Sequence, residues 1–316
     1  MAEQTKADYG HIPVLYDEVL ALLQPHRGGR YIDGTVGAGG HAAGILAGSA
    51  PDGRLLGFDR DPQVIAVARE RLSLFGDRAE LVNASYATMG EVAPVMGFGA
   101  VEGVLLDLGL SSRQLADAER GFSFLVDGPL DMRFDSREGE SAADLINNLS
   151  AEELADIFWR YGEERRSRRI ARLIVTHRPL TTTRELADLI ASDIKRPSGP
   201  TGRRHPATQV FQALRIAVND ELATVERGLT AALGLLKPGG RLAVISFHSL
   251  EDRLVKNRFR DQSRACVCPP EQPVCTCGGR AELELLTRKA VKASEQETEM
   301  NPRSRSARLR VVARVK

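Results

Sequence analysis

Three short apolar runs, each ending in an aspartate, constrain this chain more than anything else in it. Arg30 to Asp33 (RYID) leads into a glycine loop, Gly34 to Gly40 (GTVGAGG), and then His41. Arg54 to Asp59 (RLLGFD) follows, and Val101 to Leu108 carries Asp107 near its end. Short apolar runs alternating with helical patterns read as βαβ units. An open parallel sheet of such units gathers ligand-binding groups at the carboxyl ends of its strands. The expected fold class is therefore α/β, with a Rossmann-like sheet.

The rest of the chain extends this pattern and then breaks it. Val14 to Leu23 has the apolar spacing of an amphipathic helix, and His41 to Leu46 reads as a helix opened by the glycine loop. Asp61-Pro62 starts another, with an acid at the cap and proline in the first turn. Ala79 to Asn83 is the third strand and Val101 to Leu108 the fourth. Alternation then stops. Residues 114–214 read as an inserted, mainly helical domain with no clear buried strand, leaving 1–113 and 215–316 as one discontinuous sheet domain. Val210 to Leu236 is expected as one long helix returning to the sheet, Lys237 to Gly240 (KPGG) as a tight turn, and Arg241 to Phe247 as strand five. Leu283 to Leu286 and Leu309 to Val315 are the remaining strand candidates. At 316 residues, two domains are the default for a single chain.

The N-terminal Met1 to Lys6 lacks a signal-peptide core, and no apolar run reaches the length of a membrane span. A cytoplasmic protein with no membrane partner is expected. Net charge is only +1, but the basic residues cluster. Arg160 to Arg178 holds seven arginines against Glu163 and Glu164. Lys195 to His205 holds four basic residues and no acid, and Arg303 to Lys316 six and no acid. Such clusters suit a polyanion, although each alone reads equally well as a solvated helix face.

Gly37 to Ala42 fits G-x-G-x-x-A, with Asp59 about 20 residues on, where a ribose-binding acid belongs. Three features turn the reading from a dinucleotide toward S-adenosylmethionine, which has an ammonium, a sulfonium, a ribose and no phosphate. Asp33 precedes the loop, where a carboxylate suits an amino group and repels a pyrophosphate. Asp107 ends strand four near the adenine side, and KPGG precedes strand five as it commonly does in methyltransferases. Each residue also has a plain structural role. Gly37, Gly39 and Gly40 permit a tight turn, Asp33 and Asp59 serve as caps, and Tyr86 after strand three is a packed aromatic. Their ordered recurrence at strand ends favours the joint functional reading.

The longer motifs resemble those of a known family. Tyr31 to His41 (YIDGTVGAGGH), Phe58 to Pro62 (FDRDP), Leu105 to Gln114 (LLDLGLSSRQ) and Ala118 to Phe124 (AERGFSF) look like the bacterial RsmH (MraW) methyltransferases. So do Asp127 to Arg133 (DGPLDMR), His205 to Gln212 (HPATQVFQ) and Ile245 to Arg253 (ISFHSLEDR). The resemblance runs from near His11 essentially to the C-terminus. It implies a class I S-adenosylmethionine fold with an inserted recognition domain, and N4-methylation of a cytidine in the decoding region (P site) of 16S ribosomal RNA. The substrate would be that RNA or the small ribosomal subunit. Cofactor contacts carry over onto Gly39, Gly40, His41, Asp59, Asp107 and Gln114, with Tyr86 at an often aromatic position. Val36, Leu110 and Arg113 are small departures that remove no group the chemistry needs.

The exocyclic amine of cytosine is a poor nucleophile because its lone pair is delocalised into the ring. Acceptors on its hydrogens favour the geometry that turns the lone pair toward the methyl carbon. Asp107 and the adjoining backbone are expected to orient amine and cofactor, with Ser111, Ser112 and His248 lining the cytosine pocket. Much of the rate then comes from in-line positioning. His248 has a structural alternative, as a strand-end residue bonding a neighbouring loop. Related amino methyltransferases place an acid or asparagine before Pro-Pro here, and those prolines are absent, which leaves the proton acceptor open. Cys266, Cys268, Cys275 and Cys277 form paired C-x-C units that suit one structural tetrahedral zinc, or stand as thiols in a surface loop. Competing readings are a methyltransferase on a DNA or protein amine, a catalytically silent RNA-binding assembly factor, and more remotely a NAD-linked oxidoreductase. Monomer and homodimer both fit the sequence.

Overall fold

The computed structural model describes residues 13–110, 115, 117–193, 205–266, 268, 272 and 279–315. Contacts divide the chain into two compact units, one reaching Gly109 and resuming at Leu222, the other Leu110–Glu221.

The first unit is built on a twisted sheet. After α1 (Tyr16–Leu23) come β1 (Arg30–Asp33), α2 (Gly40–Gly48), β2 (Arg54–Asp59), α3 (Pro62–Leu72), β3 (Ala79–Asn83), α4 (Met89–Val95) and β4 (Val101–Asp107). Asp61 caps α3 through the Gln63 N–H, with Pro62 at the first helical position. The chain returns through α10 (Glu221–Leu235), β5 (Leu236–Ser246), α11 (Ser249–Gln262), β6 (Leu283–Leu285), α12 (Glu295–Met300) and β7 (Arg308–Arg314). The sheet order is β3-β2-β1-β4-β5-β7-β6, and β7 runs antiparallel to β5 and β6. This is the class I methyltransferase order.

Strands covered on both faces carry continuous apolar runs. In β2, Leu55 to Phe58 are all buried. Leu105 and Leu106 of β4 point to opposite faces. Leu105 packs with Val19, Ile45, Ile245 and Leu309, and Leu106 with Ile32, Phe58, Val225, Leu229 and Val255.

The second unit contains α5 (Ala142–Asn148), α6 (Ala151–Gly162), α7 (Ser167–Thr176), α8 (Thr183–Asp193) and α9 (Thr208–Asn219). Capping boxes start α5 at Ser141 with Asp144 and α6 at Ser150 with Glu153. Phe158, Ile170, Ile174, Leu186, Ile190, Phe211 and Leu214 form its core.

Three local expectations change. The helix expected over 210–236 is two helices, because Asp220 adopts a left-handed conformation (φ 48°) and ends α9. KPGG is not a turn ahead of the strand. Leu236 already pairs with Val101, and the register jumps to Gly103 opposite Arg241, so Lys237 to Gly240 bulge out within β5. The second unit ends at Glu221 rather than near 214, because α9 packs on α6 along its length and Asn219 holds the 132–134 loop. Its Nδ2 donates to the Met132 carbonyl at 2.7 Å, and its Oδ1 accepts the Phe134 N–H at 2.8 Å. Among the described residues, no helix is long and apolar enough to cross a membrane.

Candidate active site

β2, β1 and β4 are neighbours in the sheet, and each ends in one of the three aspartates. The register pairs Asp33 with Gly57 on one side and Leu105 on the other, so Asp59 and Asp107 each stand two residues beyond those partners. A two-residue step keeps side chains on the same face, and the three carboxylates converge at the carboxyl ends of these central strands.

Burial dominates their electrostatics. Desolvation pushes Asp33 up to about 7, against hydrogen bonds from the Thr35 N–H (3.1 Å) and hydroxyl, with the Asp107 and Asp59 charges adding to the rise. Asp59 is pushed up to about 6 by desolvation, although it accepts N–H groups from Asp61 at 3.0 Å and Gly37 at 3.1 Å. Asp107 is also pushed up to about 6 by desolvation. The Gly109 N–H and Arg303 pull it down, and Glu251 pushes it up. Asp107 Oδ1 is buried and accepts no hydrogen bond among the described residues.

The glycine loop is shaped for close approach. Gly39 sits at φ +79°, in the left-handed region that favours glycine, and begins α2. A Cβ on Gly40 would lie 2.4 Å from Pro13 Cγ, so any side chain there forces Pro13 to shift. No side chain caps α2 among the described residues. His41 is buried within α2, with Nε2 3.0 Å from the Val14 carbonyl and Nδ1 3.9 Å from Asp107 Oδ2.

The sequence-derived residues thus divide. Asp33, Gly39, Gly40, His41, Asp59 and Asp107 come together at the strand ends. Tyr86, next to its helical cap Ser85, lays its ring against Gly228 of α10, where a Cβ would meet the ring at 2.4 Å. His248 caps α11: its Nδ1 accepts the Glu251 N–H at 3.4 Å, while Glu251 Oε2 accepts the Phe247 N–H at 2.8 Å. His248 Nε2 lies 3.0 Å from Glu251 Oε1 but off the line a hydrogen bond needs. Ser111, Ser112 and Gln114 lie outside the described residues, as do Cys275 and Cys277. Cys266 is exposed and Cys268 half-buried.

Sequence reasoning missed two contributors. Thr35, an ordinary loop residue by composition, accepts the Asp107 N–H at 2.6 Å while its hydroxyl serves Asp33. Arg303, counted within a basic tail, is half-buried and close enough to Asp107 to act on its charge. The tail folds back because Glu297 Oε1 accepts the Leu15 N–H at 2.8 Å and Val291 bridges Leu309. Nothing local in the sequence signals that return.

The sequence matches the MraW methylase family over residues 8–315. The chain belongs to that family. Curated MraW relatives agree over nearly their whole length. A Geobacter sp. (strain M21) protein is 53% identical over 311 residues, covering 98% of this chain and 99% of that one. One from Syntrophobacter fumaroxidans is 54% identical over 306 residues (96% and 95%), and one from Thermomicrobium roseum 53% over 309 (96% and 94%). All three carry the name ribosomal RNA small subunit methyltransferase H.

Proposed function

We propose that this MraW protein is an S-adenosylmethionine-dependent methyltransferase acting on the N4 amine of a cytidine in the decoding region of 16S ribosomal RNA. The carrying observation is the cluster of three desolvated carboxylates at adjoining strand ends, beside a glycine cradle. That cluster suits a ligand with an ammonium and a sulfonium and disfavours a pyrophosphate. Asp33 suits the ammonium, Asp59 the ribose, and Gly39, Gly40 and His41 line the approach, with Gln114 and Tyr86 as further candidate cofactor contacts. When bound, S-adenosylmethionine supplies an electrophilic methyl group. Asp107 then accepts from the amine hydrogens and orients the lone pair, with Ser111, Ser112 and His248 as further candidates around the base.

The second unit, Leu110–Glu221, supplies the RNA face in this reading. Its arginines differ in availability. Arg160 pairs with Asp156 and Arg169 with Asp193, while Arg178 donates to the Ile146 and Leu149 carbonyls at the end of α5. Arg165, Arg166, Arg168 and Arg172 are exposed. Phosphate contacts from these would offset the few kcal/mol that extruding a base costs, roughly as for other base-flipping enzymes. The substrate class puts the reaction in the cytoplasm. The cysteine spacing suits either one structural zinc on Cys266, Cys268, Cys275 and Cys277 or thiols in a surface loop, and metal analysis of protein purified without a histidine tag decides between them.

Nucleoside mass spectrometry of ribosomal RNA from a deletion strain, complemented with wild type and with Asp107→Ala, tests the function. Loss of N4-methylcytidine restored only by wild type is expected. An unchanged modification profile would overturn it, as would absence of S-adenosylmethionine binding by calorimetry.

A further inference from the structure

The group that accepts the amine proton can be argued from the pair His41 and Asp107. His41 Nε2 lies 3.0 Å from the Val14 carbonyl. A carbonyl only accepts, so Nε2 carries the hydrogen, and the neutral ring turns its Nδ1 lone pair toward Asp107 Oδ2, 3.9 Å away. The ring stacks on Tyr16 of α1 at an interplanar angle of 21°, so its orientation is held from a second side. The other oxygen, Asp107 Oδ1, is buried and makes no hydrogen bond among the described residues. One carboxylate thus has an unused acceptor on one oxygen and a basic nitrogen beside the other.

We propose that Asp107 and His41 form a two-member proton acceptor, Asp107 taking the proton from the methylated amine and passing it to His41 Nδ1. The proposal rests on the methyl-transfer reading above. A bond forms from the amine lone pair to the methyl carbon, the carbon–sulfur electron pair stays on sulfur as a neutral thioether, and the amine proton goes to Asp107 Oδ1. A half-turn about the broad terminal torsion of the aspartate exchanges its oxygens. The proton then moves to Nδ1, leaving a carboxylate beside an imidazolium whose other N–H stays on the Val14 carbonyl. The 3.9 Å contact must close by about 1 Å for that step, as catalytic contacts do when substrate binds.

The surroundings favour holding one proton on the pair. Asp33 of β1 and Glu251 of α11 put negative charge toward Asp107, and Arg303 opposes them. Tyr16 faces His41 from α1. His41 is therefore a positioning and relay group acting through Asp107.

The test is an NMR titration of the full chain with labelled histidine, without donor or RNA, His41 being assigned by its loss in His41→Gln. Asp107→Asn is expected to move the His41 midpoint down by about one pH unit, because the carboxylate no longer holds the imidazolium. Reciprocally, His41→Gln, whose amide still offers a donor to the Val14 carbonyl, should raise the Asp107 midpoint followed at its carboxyl carbon. Either arm serves if the other variant fails to fold, and unmoved midpoints overturn the proposal. His41→Gln should also slow single-turnover transfer by roughly tenfold or more, and an unchanged rate would equally sink it. The titrations need no methyl transfer, so their failure is distinguishable from failure of the function tested by calorimetry and nucleoside analysis.

Discussion

Thr35 and Asp107 are joined by a 2.6 Å hydrogen bond, the Asp107 backbone N–H donating to the Thr35 hydroxyl oxygen. The same hydroxyl serves Asp33. One side chain of the glycine loop therefore fixes the spacing of two strand-end carboxylates.

Thr35→Val should leave the Asp107 N–H without its partner and remove one of the hydrogen bonds that Asp33 accepts. An unsatisfied buried group costs about 1–3 kcal/mol, so urea unfolding should show a loss of that order. Calorimetry should show weaker S-adenosylmethionine binding, and Thr35→Ser should restore both. Wild-type affinity in Thr35→Val would refute the bridging role.

The raised carboxylates set a pH dependence with a definite sign. Between about pH 4 and 7, the folded chain holds protons on Asp33, Asp59 and Asp107 that the unfolded chain has released. Their contribution to stability is thus greatest at the acid end and is lost as pH rises through about 6 to 7. A cationic donor prefers the ionised forms, so its affinity should rise over that window. Thermal melts at pH 5.5 and 8, with and without S-adenosylmethionine, should show the larger ligand shift at pH 8, and Asp33→Asn should flatten the difference.

Arg303 lowers the proton affinity of Asp107. Arg303→Gln should move the acid limb of the single-turnover rate profile to higher pH, and Arg303→Lys should move it less. Coincident profiles for all three proteins would show that Arg303 exerts no effect on the reacting carboxylate.

Arg310 of β7 holds Asp252 of α11 with two bonds, 2.7 and 3.1 Å, and Arg308 donates to the same carboxylate at 3.4 Å. Arg310 and Asp252 are nearly buried, so Asp252→Ala should cost about 3–5 kcal/mol by stranding a guanidinium. Asp252→Leu with Arg310→Met should recover most of it in chemical denaturation. A double variant as unstable as the single would show that packing, rather than charge, makes the site costly.

Reversing Arg165, Arg166, Arg168 and Arg172 to glutamate should weaken RNA binding and flatten its salt dependence together. Reversing Arg160 and Arg169, already paired with Asp156 and Asp193, should do less. Equal salt slopes for wild type and the fourfold variant would remove this face from RNA recognition.

By itself the sequence determined what acts over a few residues. The limits of β1, β2 and β3 match the apolar runs that predicted them, and Asp61-Pro62 begins α3, because strand runs and caps are set by adjacent side chains and fixed backbone angles. The ordered aspartates and the glycine loop were legible for the same reason. Tertiary structure alone decided that Thr35 bridges two acids 72 residues from one of them, and that Arg303 leaves the basic tail for Asp107. It also made His248 a helix cap and left only some of the arginines available. Those outcomes turn on burial and on charges brought together by chain return, and a buried carboxylate acquires its chemistry from what replaces water around it.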